Sequence, residues 1–407
     1  MKLNTLKTLG AAVFAAAFLF SCNQDSTPLN EKDESNMVAP SDSQVIPGQY
    51  IVVFNRTDTG KASENYQKSQ DRVKARTTKL MSDAGIKGEI VNVYSKTING
   101  ATLKLSSFDA DNLRKRDEVA YVEEDRLVVF APPCGTPNGG PCDGDGGGGS
   151  EGQETPYGIT RVNGGVSYSG SNVAWVIDTG IDLDHEDLNV DASRGFNAFT
   201  SGRDAKSLDD GHGHGTHVAG TIAAIDNNVG VIGVAAGATV IPVKVLDSRG
   251  SGSYSGVIAG VDYVGANGSN GDVANMSLGG PVSQALDDAV VAASENGIKF
   301  ALAAGNESDD ANNHSPARAN GSNIVTISAM DNTDSWASFS NYGNPPVDYA
   351  APGVAIKSSW KNGGYNTISG TSMASPHAAG ILLLGNAGTD GTVSQDPDGD
   401  PDPIIVH

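Results

Sequence analysis

The 407-residue sequence predicts an α/β protein: a mainly parallel sheet covered by helices on both faces, preceded by a small ferredoxin-like α+β domain. Three observations carry this expectation. From Gln153 to about residue 390, short Val/Ile/Ala-rich runs such as "NVAWVIDTG", "TVIPVKVLD" and "IKFALAAGN" alternate with helical stretches such as "GTHVAGTIAAI" and "QALDDAVVAASENG". Strands that are apolar throughout are buried on both faces, as in a parallel sheet between helix layers. Residues 44–130 instead read β-α-β-β-α-β, the split arrangement of ferredoxin-like units. Between the two lies "APPCGTPNGGPCDGDGGGGSEG", residues 131–152, without apolar periodicity and readable as an exposed, cleavable linker.

In chain order, residues 1–22 place Lys2 and Lys7 before an apolar run from Ala11 to Phe20. That run is too short to span a bilayer and has the form of a secretory signal, so export is expected. It ends in Leu19-Phe20-Ser21-Cys22, which resembles the lipobox of bacterial lipoproteins and implies acylation of Cys22; ordinary cleavage nearby, with Cys22 incidental, is the alternative. Assigning Cys22 to lipid leaves Cys134 and Cys142 to close a small disulfide loop in an oxidising compartment. Residues 23–43 are polar and form a flexible tether.

In the small unit, "QYIVVFN" is a strand and "SENYQKSQDRVKARTTKLMSDAG" a helix stopped by Gly85. "IVNVYSKTINGATLKLS" holds two strands, "DADNLRKRDEV" a short helix, and "VAYVEEDRLVVF" the last strand. Near the end, "SMASPHAAGILLL" starts a helix that tolerates Pro376 only near its first turn. Residues 391–407 carry Asp396, Asp398, Asp400 and Asp402 with glycine at the wrong offset for an EF-hand, and read as a solvated acidic tail.

Charge is partitioned. Residues 44–130 hold 14 Lys+Arg against 12 Asp+Glu, whereas 154–407 hold 10 against 28. So acidic a domain excludes nucleic acid and anionic membrane as partners, and makes the weakly basic unit its electrostatic complement.

In open α/β sheets functional groups gather at the carboxyl ends of strands. Asp178 ends "AWVID", His214 opens the helix of "GHGHGTHVAG", Asn306 follows "ALAAGN", and Ser372 stands at a helix start. Each alone has an ordinary role: cap, core imidazole, turn residue, N-cap. Together they supply an orienting carboxylate, a base, an amide donor and a nucleophile. His377 is not the base for Ser372, because five positions on a helix separate them by about 7.5 Å along the axis.

"VIDTGID", "HGTHVAGTIAA", "NMSLGGP", "AAGNES" and "SGTSMASPHAAG", in that order, resemble the subtilisin-like serine proteases over residues 154 to about 384. "VKVLDSRGSGSYSGVIAGVDYV" resembles the proteinase K branch most. The resemblance implies a subtilisin-like catalytic domain over 153–390, with Ser372 as nucleophile, His214 as general base, Asp178 orienting it and Asn306 binding the oxyanion. It implies peptide binding by strand addition at Gly250, Ser251, Gly252 and Tyr254 on one edge and Ser277, Leu278, Gly279 and Gly280 on the other. Ala303, Ala304 and Gly305, with Gly279, would leave a roomy, uncharged pocket for a large apolar or aromatic side chain.

Residues 44–130 resemble the inhibitory, chaperone-like propeptide of these enzymes. "AAIDNNVGVIGV" resembles their calcium loop, implying backbone oxygens from Ile225, Val229 and Val231, side chains of Asn227, Asp187 and Gln153, and a structural rather than catalytic Ca2+. Asp348 resembles the carboxylate of a second cation site. The chain departs from the family in having only 35 residues after Ser372, so that a terminal helix is expected to be replaced by the tail. The expectation is a monomeric, secreted endopeptidase of broad specificity acting on polypeptides, inhibited by its own propeptide until cut between residues 130 and 153. Its only membrane contact would be an N-terminal lipid on the bacterial envelope before maturation. Two other readings are a binding lipoprotein whose propeptide never leaves, and an esterase, against which the missing G-x-S-x-G elbow argues.

Overall fold

A computed structural model describes residues 45–55, 65–129 and 152–407. The expected signal and tether, the linker as far as Glu151, and Cys22, Cys134 and Cys142 lie outside the described residues.

The small unit runs β1 (Val45–Phe54), α1 (Tyr66–Asp83), β2 (Glu89–Tyr94), β3 (Gly100–Lys104), α2 (Ser107–Arg114) and β4 (Val119–Val129). Its antiparallel sheet has the order β4-β1-β3-β2. Asn65 caps α1 by accepting from Gln67 N at 2.9 Å, and Ser106 caps α2 by accepting from Asp109 N at 3.1 Å. Successive strand side chains point to opposite faces. Tyr50, Val52 and Phe54 therefore pack with Val73, Leu80 and Leu113 in the unit's own core, while Ile51 and Val53 turn into the core of the larger domain.

The larger domain opens with α3 (Tyr157–Arg161), β5 (Val166–Ser167), β6 (Ala174–Asp178), β7 (Asn189–Val190) and β8 (Phe196–Asn197). Then come α4 (His214–Ala223), β9 (Ala235–Ala236), β10 (Thr239–Lys244), β11 (Ser251–Ser253), α5 (Tyr254–Asn267) and β12 (Val273–Met276). β13 (Gly280–Pro281), α6 (Gln284–Ser294), β14 (Lys299–Ala303), β15 (His314–Ser315), β16 (Ile324–Met330) and β17 (Val347–Pro352) follow. A hairpin of β18 (Ile356–Trp360) and β19 (Gly364–Ile368) precedes α7 (Thr371–Leu384), β20 (Gly388–Thr392) and β21 (Pro403–Val406).

The central sheet has the order β20-β21-β17-β16-β14-β12-β6-β10-β7 and is parallel from β21 to β7. Alternation along β6 again assigns the faces. Ala174 and Val176 join α4 and α7 in one layer, and Trp175 and Ile177 join α5 and α6 in the other.

The C-terminal expectation needs correction. Residues 391–407 are not a solvated tail: Ile404 and Ile405 are buried, Asp402 is 2% exposed, and β21 pairs with β17. The physical reason is the edge of β17, whose unpaired backbone groups and apolar flank are covered by "PIIV". The Asp-rich stretch is the turn that brings β21 back, with Asp398 N and Asp402 N donating to Asp396.

Candidate active site

Asp178 is the last residue of β6 and fully buried. Its Oδ1 accepts from Thr179 N at 2.7 Å, and His214 Nδ1 lies 2.9 and 3.0 Å from its two oxygens. A carboxylate offers only acceptors, so Nδ1 carries the proton and donates, leaving Nε2 as the ring's basic atom. His214 reaches this position because Gly213, at φ 111°, turns the chain into α4. A side chain at Gly213 would collide with the Trp360 ring, 2.4 Å from an added Cβ, so only glycine fits.

Ser372 is the second residue of α7 and 9% exposed, with its hydroxyl donating to Ser277 O at 3.1 Å. Pro376, inside the helix, has no N–H for the carbonyl four residues earlier, which is that of Ser372. Ser277 Oγ donates to that carbonyl instead, at 2.7 Å, and is itself held by Asn275 Nδ2 at 2.8 Å. The proline thus frees an acceptor through which the serine-bearing helix is tied to the strand-end segment "NMSLGGP".

Asn306 Oδ1 accepts from Thr371 N at 2.8 Å and Thr371 Oγ1 at 3.0 Å, which fixes the amide so that its NH2 points elsewhere. A Cβ added at Gly370 would lie 3.7 Å from both Asn306 Nδ2 and Ser372 N. Asn306 and Ser372 line the same pocket, where the amide NH2 and the Ser372 N–H are the donors an oxyanion would require.

His217 and His377 are unsuited to act as the base. Burial pushes His217 down to about 3 and His377 to about 4, so neither would hold a transferred proton well at physiological pH. His217 Nε2 bonds Ile356 O, His377 Nδ1 bonds Met373 O, and Ser375 Oγ donates to Asn275.

Of the expected peptide-binding edges, Ser251–Ser253 is already occupied: β4 pairs antiparallel with β11, Leu127 opposite Ser253, Val128 opposite Gly252 and Val129 opposite Ser251. Tyr254 is fully buried and donates to Pro281 O. Gly250, at φ 76°, closes the turn before β11, and Gly280 pairs with Ser315 in a short ladder. A pocket lined by Leu278, Gly279, Gly280, Ala303, Ala304 and Gly305 opens beside Ser372 and Asn306. It is not uncharged as expected, because Glu307 and His314 also line it. Glu307 Oε2 accepts from Asn341 Nδ2 at 2.7 Å and lies 3.7 Å from His314 Nδ1. The residue after "AAGN" carries this charge, but only the fold turns it toward the pocket.

The residues expected at the cation loop converge. Gln153 Nε2 lies 2.6 Å from Ile225 O, 3.1 Å from Val231 O and 3.5 Å from Asn227 Oδ1. Asp187, fully buried, accepts from Asn227 Nδ2 at 3.1 Å and Val231 N at 3.0 Å, and burial raises its carboxyl to about 6. Val229 N donates to Asn227 Oδ1 at 2.7 Å. Gln153 Oε1 accepts from Asn227 N at 3.0 Å, so its amide must turn over for that oxygen to join the three now around Nε2; with the Asp187 carboxylate they then make the oxygen-rich set a hard cation takes. Asp348 Oδ2 accepts from Thr326 N at 2.9 Å. Among the described residues no cluster of three His, Cys, Asp or Glu side chains could hold a metal.

Thr179, Asp210 and Thr371 are missed by sequence reasoning. Thr371 opens α7, and its hydroxyl binds Asn306 Oδ1, 65 positions away, where no local motif points.

Residues 170–390 match the Subtilase family, and residues 49–131 match Peptidase inhibitor I9. The chain is 36% identical to "Extracellular serine proteinase" of Thermus sp. (strain Rt41A), covering 93% of this chain and 90% of that protein. It is 39% identical to "Alkaline serine exoprotease A" of Vibrio alginolyticus over 86% of this chain, which spans 62% of that relative's length. Among solved structures, "Crystal structure of a cold adapted subtilisin-like serine proteinase" matches with 43% identity and a TM-score of 0.50, covering 56% of this chain and 83% of that one.

Proposed function

Since the chain belongs to the subtilase family and carries an inhibitor I9 segment ahead of its catalytic domain, we propose that it is a secreted serine endopeptidase of broad specificity, made as a self-processed precursor. The observation that carries this reading is the buried, hydrogen-bonded Asp178–His214 pair standing at strand and helix ends, together with Ser372 and Asn306 lining one pocket.

The chemistry runs as acyl transfer. The Ser372 hydroxyl turns from the Ser277 carbonyl to His214 Nε2, gives up its proton and attacks the peptide carbonyl. Asp178 holds the imidazole tautomer and stabilises the imidazolium, while Asn306 Nδ2 and Ser372 N receive the developing oxyanion. His214 then protonates the leaving amine, and water repeats the sequence to release the acyl group. An extended peptide pairs along Ser251–Ser253, a backbone interaction tolerant of sequence. The alanine and glycine walls favour a large apolar side chain before the cut, and the Glu307 carboxylate makes an acidic one the poorest fit.

Inhibition by the propeptide is supported by β4, which occupies that same edge through Val129. The next residue, Phe130, lies outside the described residues, and cleavage after it is the maturation step we favour between 130 and 153. The lipid on Cys22 would then stay with the propeptide and the catalytic domain would leave the envelope. A structural Ca2+ would be held by Gln153, Asp187, Asn227 and the carbonyls of Ile225, Val229 and Val231; it stabilises the fold and takes no part in the reaction.

The test is incubation of the purified chain with and without calcium, beside Ser372→Ala, with mass spectrometry of the products. Wild type is expected to cut itself between residues 130 and 153, the variant to stay whole, and calcium to protect the product from further loss. A wild type that also stays whole would overturn autonomous proteolysis in favour of a blocked scaffold.

A further inference from the structure

Helix α4 delivers His214, yet its N-cap is Gly213, which has no side chain to accept from the first free N–H groups. Asp210, 3% exposed, does so from upstream. Its Oδ2 accepts from Thr216 N at 2.9 Å and Thr216 Oγ1 at 2.7 Å. Its Oδ1 accepts from His212 N at 2.9 Å and Gly213 N at 2.8 Å.

These four bonds would complete a helix cap. Oδ1 takes a fifth, from Thr179 Oγ1 at 2.8 Å, and capping does not require it. Thr179 is the residue whose N–H holds Asp178 Oδ1, whose hydroxyl accepts from Gly215 N at 2.9 Å, and whose carbonyl is gripped by the buried Lys244 ammonium at 2.5 Å. A closed ring results: Asp178, Thr179, Asp210, Gly213, His214 and back to Asp178. The strand bearing the carboxylate and the helix bearing the imidazole are thus locked to each other through the Asp210 carboxylate.

We propose that Asp210, acting through Thr179, is a positioning residue that fixes the Asp178–His214 pair for reaction. This rests on the proteolytic reading above. The role needs an ionised carboxylate, because all five partners are donors; an amide would set its own N–H groups against some of them. A shift of about 1 Å in the pair is enough to cost on the order of 100-fold in rate.

The experiment uses the full-length chain as wild type, Asp210→Asn, Thr179→Val and Thr179→Ser. Turnover is counted per Ser372 labelled by a phosphonyl fluoride, KM is measured alongside, and the low-field proton resonance of His214 Nδ1–H is recorded. Asp210→Asn and Thr179→Val are expected to lower kcat about 10- to 100-fold, with KM within about 2-fold, and to shift or broaden that resonance. Thr179→Ser, which keeps the hydroxyl, stays within a few-fold of wild type, and a variant combining Asp210→Asn with Thr179→Val is little worse than the less active of the two single variants. Unchanged kcat per labelled site and an unmoved resonance in both damaging variants would overturn the inference. If Asp210→Asn does not fold, the Thr179→Val and Thr179→Ser pair decides on the same readouts. A wild type that neither labels at Ser372 nor cleaves peptides overturns the proteolytic reading itself, and this inference falls with it.

Discussion

Asn306 illustrates how a single residue's role is set by what occupies its other end. Because both Thr371 donors bind Oδ1, the NH2 end is left to serve the pocket that Asn306 and Ser372 line together. An interaction made to an oxyanion and absent from the ground state raises kcat without altering binding. Asn306→Ala is therefore expected to lower kcat by on the order of 100-fold with KM nearly unchanged, and steady-state kinetics on a chromogenic peptide would check it. An effect confined to KM would remove Asn306 from this role. The four residues at strand and helix ends are legible in the sequence because each sits in a short motif. Thr371, Asp210 and Glu307 are not, since the partner that gives each its role, Asn306, Thr179 and Asn341 respectively, lies 65, 31 and 34 positions away.

Among the elements, the β20–β21 hairpin differs most from its sequence expectation, and its chemistry offers a direct check. Asp402 is buried on β21's approach, accepts from Ser328 Oγ at 2.5 Å, and burial raises its carboxyl to about 6. A raised carboxyl holds its proton more tightly in the folded state than in the unfolded one. Its contribution is complete below about pH 4 and is lost as pH rises to about 6, a change of about 3 kcal/mol at most. Melting temperature is expected to fall over that window in wild type, and Asp402→Asn to flatten that part of the curve. A variant as steep as wild type would show that Asp402 is solvated after all. The segment reads as a tail in sequence because four aspartates with proline and glycine carry no strand signal. Only the uncovered edge of β17 gives "PIIV" a place to bind.

For the molecule as a whole, the contact between propeptide and catalytic domain is built from carboxylates set against backbone and hydroxyl donors, two of them at the starts of α6 and α5 and one, Asp262 within α5, against the loop between β2 and β3. Glu123 accepts from Ser283 Oγ at 2.5 Å beside α6, Asp125 from Ser255 N at 3.0 Å in α5, and Asp262 from Ser95 N, Lys96 N and Thr97 N. Burial raises all three, and raises Asp287 to about 7, with the Glu123 charge adding to it. Docking that raises carboxyl pKa values takes up protons, so it is strongest in mild acid and weakens as pH climbs through about 7. After self-cleavage, more of the propeptide fragment is expected to co-elute with the catalytic domain at about pH 5.5 than at about pH 8.5. Glu123→Gln should reduce the difference. Equal retention at both values would exclude these carboxylates as the determinant.

The two-domain α/β organisation, the alternation of buried strands with helices, and the motif residues at strand and helix ends are legible in the sequence alone. All of these are written in periods and spacings of a few residues, where local propensity and burial decide the outcome. Tertiary structure alone decided that β4 pairs on β11, that Glu307 and His314 enter the pocket, that β21 closes the sheet, and that Asp210 ties Asp178 to His214. Those outcomes depend on which distant surface meets an unpaired strand edge or an unsatisfied donor. A local pattern shows that such a need exists but leaves its partner open, and the packed fold supplies the answer.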